Sequence, residues 1–322
     1  MATSGSWNFS MTAADIIQSA YEDLGYLIPG GTPTSADTAM ALNRLNQLVK
    51  QWQGKADHFP GLKVWTRQRL VLFPASGQAR YLVGPAASDD RATATPVVTL
   101  LTAAKAAAAT SVSVTSTTGM TAGDQIGFVT AAGTLDWTTI SVVGGATSLT
   151  LPANSAGAAS SNAVVYTYTS KAQRFVDLEA VKLRDWSTPT QPIDIPVAVY
   201  TDVAQYESVT QKLAPGDPVS VLVEPQRLNT AVTCNFASTN LYKTLRLTVI
   251  YPSEDYDSAT GADDIAYPQE WYAALSWELA FRLAPSVGQW TKLMEENRGN
   301  ALQAAISLNP DNTSKSYEPG KE

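Results

Sequence analysis

The sequence holds one cysteine and one histidine in 322 residues. A lone thiol, Cys234, excludes an internal disulfide and any cysteine cluster around a metal. It sits in a strand-like run, where a buried and unreactive thiol is expected. The lone His58 lies between Asp57 and Phe59 after a helix and reads as a solvated loop residue rather than a base. Charge is scarce as well: 16% of residues are charged, against a usual share of about 25%. With 44% hydrophobic residues, such a chain buries a sizeable core and leans toward a subunit that covers its surface with partners. The net charge of -7 argues against a protein that grips nucleic acid by neutralising phosphates with Lys and Arg. No run approaches the roughly 20 apolar residues of a membrane span. Residues 1–11 lack the basic and apolar stretches of a signal peptide, so synthesis in the cytoplasm is expected. Phosphate-loop, zinc-helix and Ser-His-Asp patterns are missing too, so neither a cofactor nor a metal is expected.

What is present begins with two helices. Thr12 and Asp15 have the spacing of a capping box with Asp in place of Glu. Ile16, Ile17, Ala20, Tyr21 and Leu24 follow at helical spacing, with Gly25 as the stop. A second helix opens at Ser35, carries its apolar stripe on Ala39, Leu42, Leu45, Leu48, Val49 and Trp52, and stops at Gly54. Arg44, Lys50 and Gln51 lie off that stripe. The two together predict an αα-hairpin. Residues 69–74 and 80–83 then alternate with period two around a loop containing Gly77, which predicts a β-hairpin.

From residue 95 to residue 170 the composition shifts to Ala, Thr, Ser, Gly and Val, with Lys105, Asp124 and Asp136 as its charges. Short β-prone runs alternate with glycine turns, which predicts an inserted barrel or sandwich. Beyond it, strands are expected near residues 174–183, 192–200, 219–223, 231–236 and 244–251. A short helix is expected at 203–209 and an acidic loop at 254–264. Pro268 stands at the start of a strongly apolar helix that Pro285 should end, and a last helix spans about 287–308. The expected fold class is α+β: a helical bundle core built from both ends of the chain, a mixed β region and an inserted all-β module. The expected divisions are 1–94, 95–170, 171–308 and a polar tail, 309–322.

Few residues suggest chemistry. Cleaving a glycan needs a protonated acid in an apolar cleft, and only Glu22 and Glu278 qualify. Glu278 sits among aromatics with Arg282 at i+4, which favours an intrahelical ion pair, while Glu22 reads as an exposed neighbour of Asp23. No catalytic residue is therefore assigned. Trp7 and Phe9, apolar aromatics ahead of the first helix, suggest docking to a neighbour.

Several strings recur in a recognisable order: Leu45-Asn46-Gln47-Leu48-Val49-Lys50-Gln51-Trp52, Gly77-Gln78-Ala79-Arg80-Tyr81, Tyr267-Pro268-Gln269-Glu270-Trp271, and Leu279-Ala280-Phe281-Arg282-Leu283-Ala284-Pro285. This set resembles the head-to-tail adaptor family of short-tailed bacteriophages, also called packaged-DNA-stabilisation or tail accessory factors, over about residues 11–83 and 174–309. Residues 95–170 resemble β-modules inserted in some phage adaptors, which would project outward. The resemblance implies a virion neck protein forming a twelve-fold ring with copies of itself, between the portal protein and the tail nozzle. It implies that DNA passes through the lumen without specific binding. The family's C-terminal tail reaches onto the portal, which here would involve Asn309, Lys315, Tyr317 and Glu318. Two other functions fit the residues: a virion-associated peptidoglycan-cleaving glycosidase, or a surface- or carbohydrate-binding tail protein acting through residues 95–170.

Overall fold

The structure, a computed structural model, describes residues 8–53, 66–85, 91–152, 157–188, 190–200, 202–212, 214–287 and 290–307. It divides into two compact units, one formed by Met1–Thr66 with Pro252–Glu322 and the other by Arg67–Tyr251.

The first unit is helical. Helix α1 (Ala13–Asp23) starts on the full Thr12–Asp15 capping box, which satisfies two N-terminal donors at once. Helix α2 (Ser35–Trp52) is capped by the Thr34 side chain. After a 3-10 turn at Gln269–Trp271 come α4 (Tyr272–Val287) and α5 (Lys292–Ser307), the short α3 (Val203–Glu207) belonging to the other unit. Ile16, Tyr21, Leu45, Leu48, Trp271 and Leu279 meet in one core. Trp52 packs edge-on against Trp271, with centroids 5.7 Å apart. Pro285 does not end α4 but lies inside its last turns.

In the second unit, eight strands form a sheet in the order β2 (Arg80–Val83), β14 (Thr230–Cys234), β13 (Ser220–Pro225), β12 (Ile193–Tyr200), β11 (Asp177–Asp185), β15 (Lys243–Ile250), β1 (Arg67–Phe73) and β3 (Arg91–Thr93). Strands β12 and β13 are parallel and joined through α3; the other pairs are antiparallel. One face of all eight strands converges on a single core that includes Leu70, Tyr81, Val181, Val197, Val232 and Leu247. A sheet with one shared interior must curl, and this one is nearly closed into a barrel.

Residues 97–168 form two further sheets. Strands β4 (Val97–Leu100), β10 (Val164–Tyr168), β6 (Gln125–Val129) and β7 (Leu135–Thr139) make one, and β5 (Ser111–Ser113), β9 (Ser148–Thr150) and β8 (Val142–Val143) the other. Ile126, Phe128, Leu149 and Val165 are among the residues that fill the space between them. The alternate residues of β10 point the opposite way: Val164, Tyr166 and Tyr168 pack with Phe73 on the outside of the barrel. Tyr168 stacks on Phe73 at 6.0 Å, and the Tyr166 hydroxyl donates to the Leu241 carbonyl at 3.0 Å. The module expected to project outward is thus held by a strand buried on both faces.

Two expectations are corrected. The fold is not organised around a helical bundle core: strand makes up 31% of the chain against 26% helix, with the nearly closed eight-stranded sheet as its main element. Helical periodicity is written within one segment, whereas these strands are short and their partners lie far off in sequence. The β-hairpin at residues 69–83 is also absent. β1 pairs with β15 and β3, and β2 with β14. The connecting loop lacks a two-residue turn that would force local pairing, and its Gly77 amide donates instead to the Ser238 carbonyl at 2.9 Å.

Candidate functional site

Glu278, the candidate acid on α4, is buried, with its side chain 8% exposed. Arg298 reaches it from α5 with Nε 2.6 Å from Oε2 and Nη2 3.3 Å from Oε1. Arg282 at i+4 stands farther off, with Nε 3.8 Å from Oε1, and its Nη2 donates to Gln51 Oε1 on α2. The expected Glu278–Arg282 pair is therefore the lesser contact. Burial lowers the Arg282 pKa from its usual high value, and the nearby Glu278 charge opposes this. Arg298 also lies 3.9 Å above the Phe281 ring, which meets Trp290 edge-on at 5.1 Å. A forked guanidinium occupies both carboxylate oxygens, and this geometry ties α4 to α5 rather than presenting an acid to substrate.

Glu22 points the other way from a general acid. Its pKa is lowered, first by the Gln18 side-chain amide and then by the Gly30 backbone N–H, each 2.9 Å from Oε1. An acid held ionised in this way is poorly placed to protonate a leaving group. Glu22 and Glu278 do not form a pair in any hydrogen-bonded network of the described residues.

Phe9 is 65% exposed, with its ring 5.9 Å from Tyr272. His58, Trp7, Asn309, Lys315, Tyr317 and Glu318 lie outside the described residues. Cys234 is buried in the barrel, and burial pushes its thiol up to about 12. Among the described residues no group of three or more His, Cys, Asp or Glu could hold a metal, and no helix is long and apolar enough to cross a membrane.

One feature was missed from sequence. The acidic stretch near residues 254–264 is the expected loop, and side chains of α2 hold it in place. Asn46 clamps Tyr256 through both amide atoms, donating to its carbonyl at 2.8 Å and accepting from its N–H at 2.9 Å. Lys50, one turn on, pairs with Asp255 at 2.7 Å and donates to the Ser253 carbonyl. The Asp263 and Gly261 carbonyls accept the first free N–H groups of α1, from Ala13 at 2.9 Å and Ala14 at 2.8 Å. The available signal was the i, i+4 spacing of Asn46 and Lys50 on the polar side of α2.

A cavity of about 360 Å³ between the module and the barrel is lined partly by Thr130, Ser160, Asn240 and Tyr242. None of its described lining residues is a carboxylate. The chain matches no protein-family model and no curated protein.

Proposed function

We infer that the chain is a structural head-to-tail adaptor, a ring subunit that docks on a phage portal and carries the tail on its other side. The observation that supports this most is where the residues of the resemblance fall. Leu45, Leu48, Trp52, Tyr267, Trp271, Leu279 and Leu283 come from opposite ends of the sequence and share one buried cluster. Their polar companions Asn46 and Lys50 hold the stretch that leads into the C-terminal helices, and Gln51 accepts from Arg282 on α4. The apolar positions of three of these strings thus belong to one core, while the Gly77–Tyr81 string lies in the other unit. Function in this reading is assembly: binding spread over repeated interfaces, with heterologous contacts closing a ring.

The test is light scattering of the full chain alone and mixed with the portal protein encoded alongside it. A monomer that becomes a twelve-copy complex on the portal is expected. A chain that stays monomeric in the presence of portal overturns the reading.

A further inference from the structure

We propose that the outer face of β1, β15 and β11 is a contact site for the phosphate backbone of nucleic acid. The registers place its residues side by side. Arg69 on β1 lies opposite Thr248 on β15, which lies opposite Ala180 on β11. In the next row Val71 lies opposite Arg246, which lies opposite Lys182. Side chains two apart share a face, and the inward neighbours Leu70, Leu245, Leu247, Val181 and Leu183 fill the barrel core. Arg69, Arg246 and Lys182 therefore all point outward. They surround a hollow of about 160 Å³ bordered by Thr248.

Three features separate this patch from an ordinary solvated face. The first is the direct cross-strand pairing of Lys182 with Arg246, since like charges opposite each other destabilise a sheet. The second is how the nearby carboxylates are used. Glu179 pairs with Arg67, while Asp194 is bound by Arg184 at 2.6 Å and reached by Arg246 at 3.4 Å. Among the described residues Arg69 and Lys182 have no ion-pair partner. The third is placement on adjacent central strands, about 5 Å apart, which holds the cations at fixed spacing.

The chain's net charge of -7 does not cancel such a patch, because charges more than about 8–10 Å away are screened at ordinary salt. A run of phosphates suits the site better than an acidic protein segment. Protein docking depends on aromatic and large apolar anchors, whereas the neighbours of these cations are the small Thr248 and Ala180 and Val71, which is buried against the 97–168 module. A cluster of cations spread over three adjacent strands also gains more from a polyanion than from one small ion. The site stands on the sheet face alone and is independent of the adaptor reading.

The test is fluorescence anisotropy of a labelled DNA duplex with the full chain, across roughly 20–200 mM salt. The two unpaired cations, Arg69 and Lys182, on phosphates predict a log–log salt slope of about -1.8, or a roughly 60-fold loss of affinity across that range. Arg69→Gln with Lys182→Gln should remove both unpaired contacts and leave a slope near zero. Both positions are exposed, and removing the Lys182–Arg246 repulsion should leave the melting temperature unchanged or higher, so the variant is a fair comparison. No duplex binding at low salt, or an unchanged slope in the double variant, overturns the proposal. So does competition by inorganic phosphate or polyglutamate at concentrations of charge equal to the duplex.

Discussion

Glu278→Gln keeps the shape of the side chain and removes its charge, leaving Arg298 and Arg282 facing a neutral amide in a buried setting. Breaking a buried ion pair from one side costs about 3–5 kcal/mol, and a hydrogen bond to a charged group contributes about 1.5–3 kcal/mol. Here the guanidinium side chains keep 24% and 20% exposure, so water compensates part of the loss. The expected destabilisation is therefore about 2–3 kcal/mol. A unit of this size loses very roughly 3–4 °C per kcal/mol, which gives a fall of about 6–12 °C in the helical unit's melting temperature. Circular dichroism at the helix band reads this directly. Arg298→Gln should weaken the same unit, and the double variant should show a coupling of about 1–3 kcal/mol, because the two side chains share the contact. A fall under about 2 °C, or additive single effects, would refute a structural tie between α4 and α5. Zymography on the same variant separates structure from catalysis. Clearing of peptidoglycan by the native chain that disappears in Glu278→Gln at unchanged stability would overturn the non-enzymatic reading.

Two further outcomes follow from the β unit. A Cβ at Gly127 would come 2.9 Å from three atoms of the Trp137 indole, so Gly127→Ala should destabilise this unit by about 1–3 kcal/mol and shift tryptophan fluorescence; an unchanged spectrum and melting curve would refute the contact. Asp194 has a lowered pKa, first through its hydrogen bond from Arg184, so its folded value lies below its unfolded one. Its contribution is present above the unfolded value near pH 4 and is lost as pH falls toward the folded one. Asp194→Asn should flatten stability against pH in that acid window, measured by denaturant titration, and an identical acid limb would count against the ion pair.

How legible the chain is depends on how far apart its partners lie. The capping box at Thr12 and Asp15, the stripes of α1 and α2, and the strand-sized runs of residues 111–168 all depend on neighbours within a few positions. Their local structure could be read directly. Pairing could not: the loop after β1 seemed to invite a hairpin, yet Leu70 and Leu72 find their places opposite Leu247 and Leu245 of β15, about 175 residues on. Period-two alternation says which face a residue takes but not which strand lies beside it. The same limit hid Arg298 from the reading of Glu278, because an i+4 arginine is visible in sequence and one from the next helix is not. It hid the basic face as well, since Arg69, Lys182 and Arg246 are scattered in sequence within a chain of net charge -7. The sequence by itself determined the helices, their caps and the apolar positions that fill them, because those follow from short-range spacing and burial. Only the tertiary structure decided that eight of the β segments would curl around one interior and leave three cations together outside it, because that outcome depends on long-range strand order.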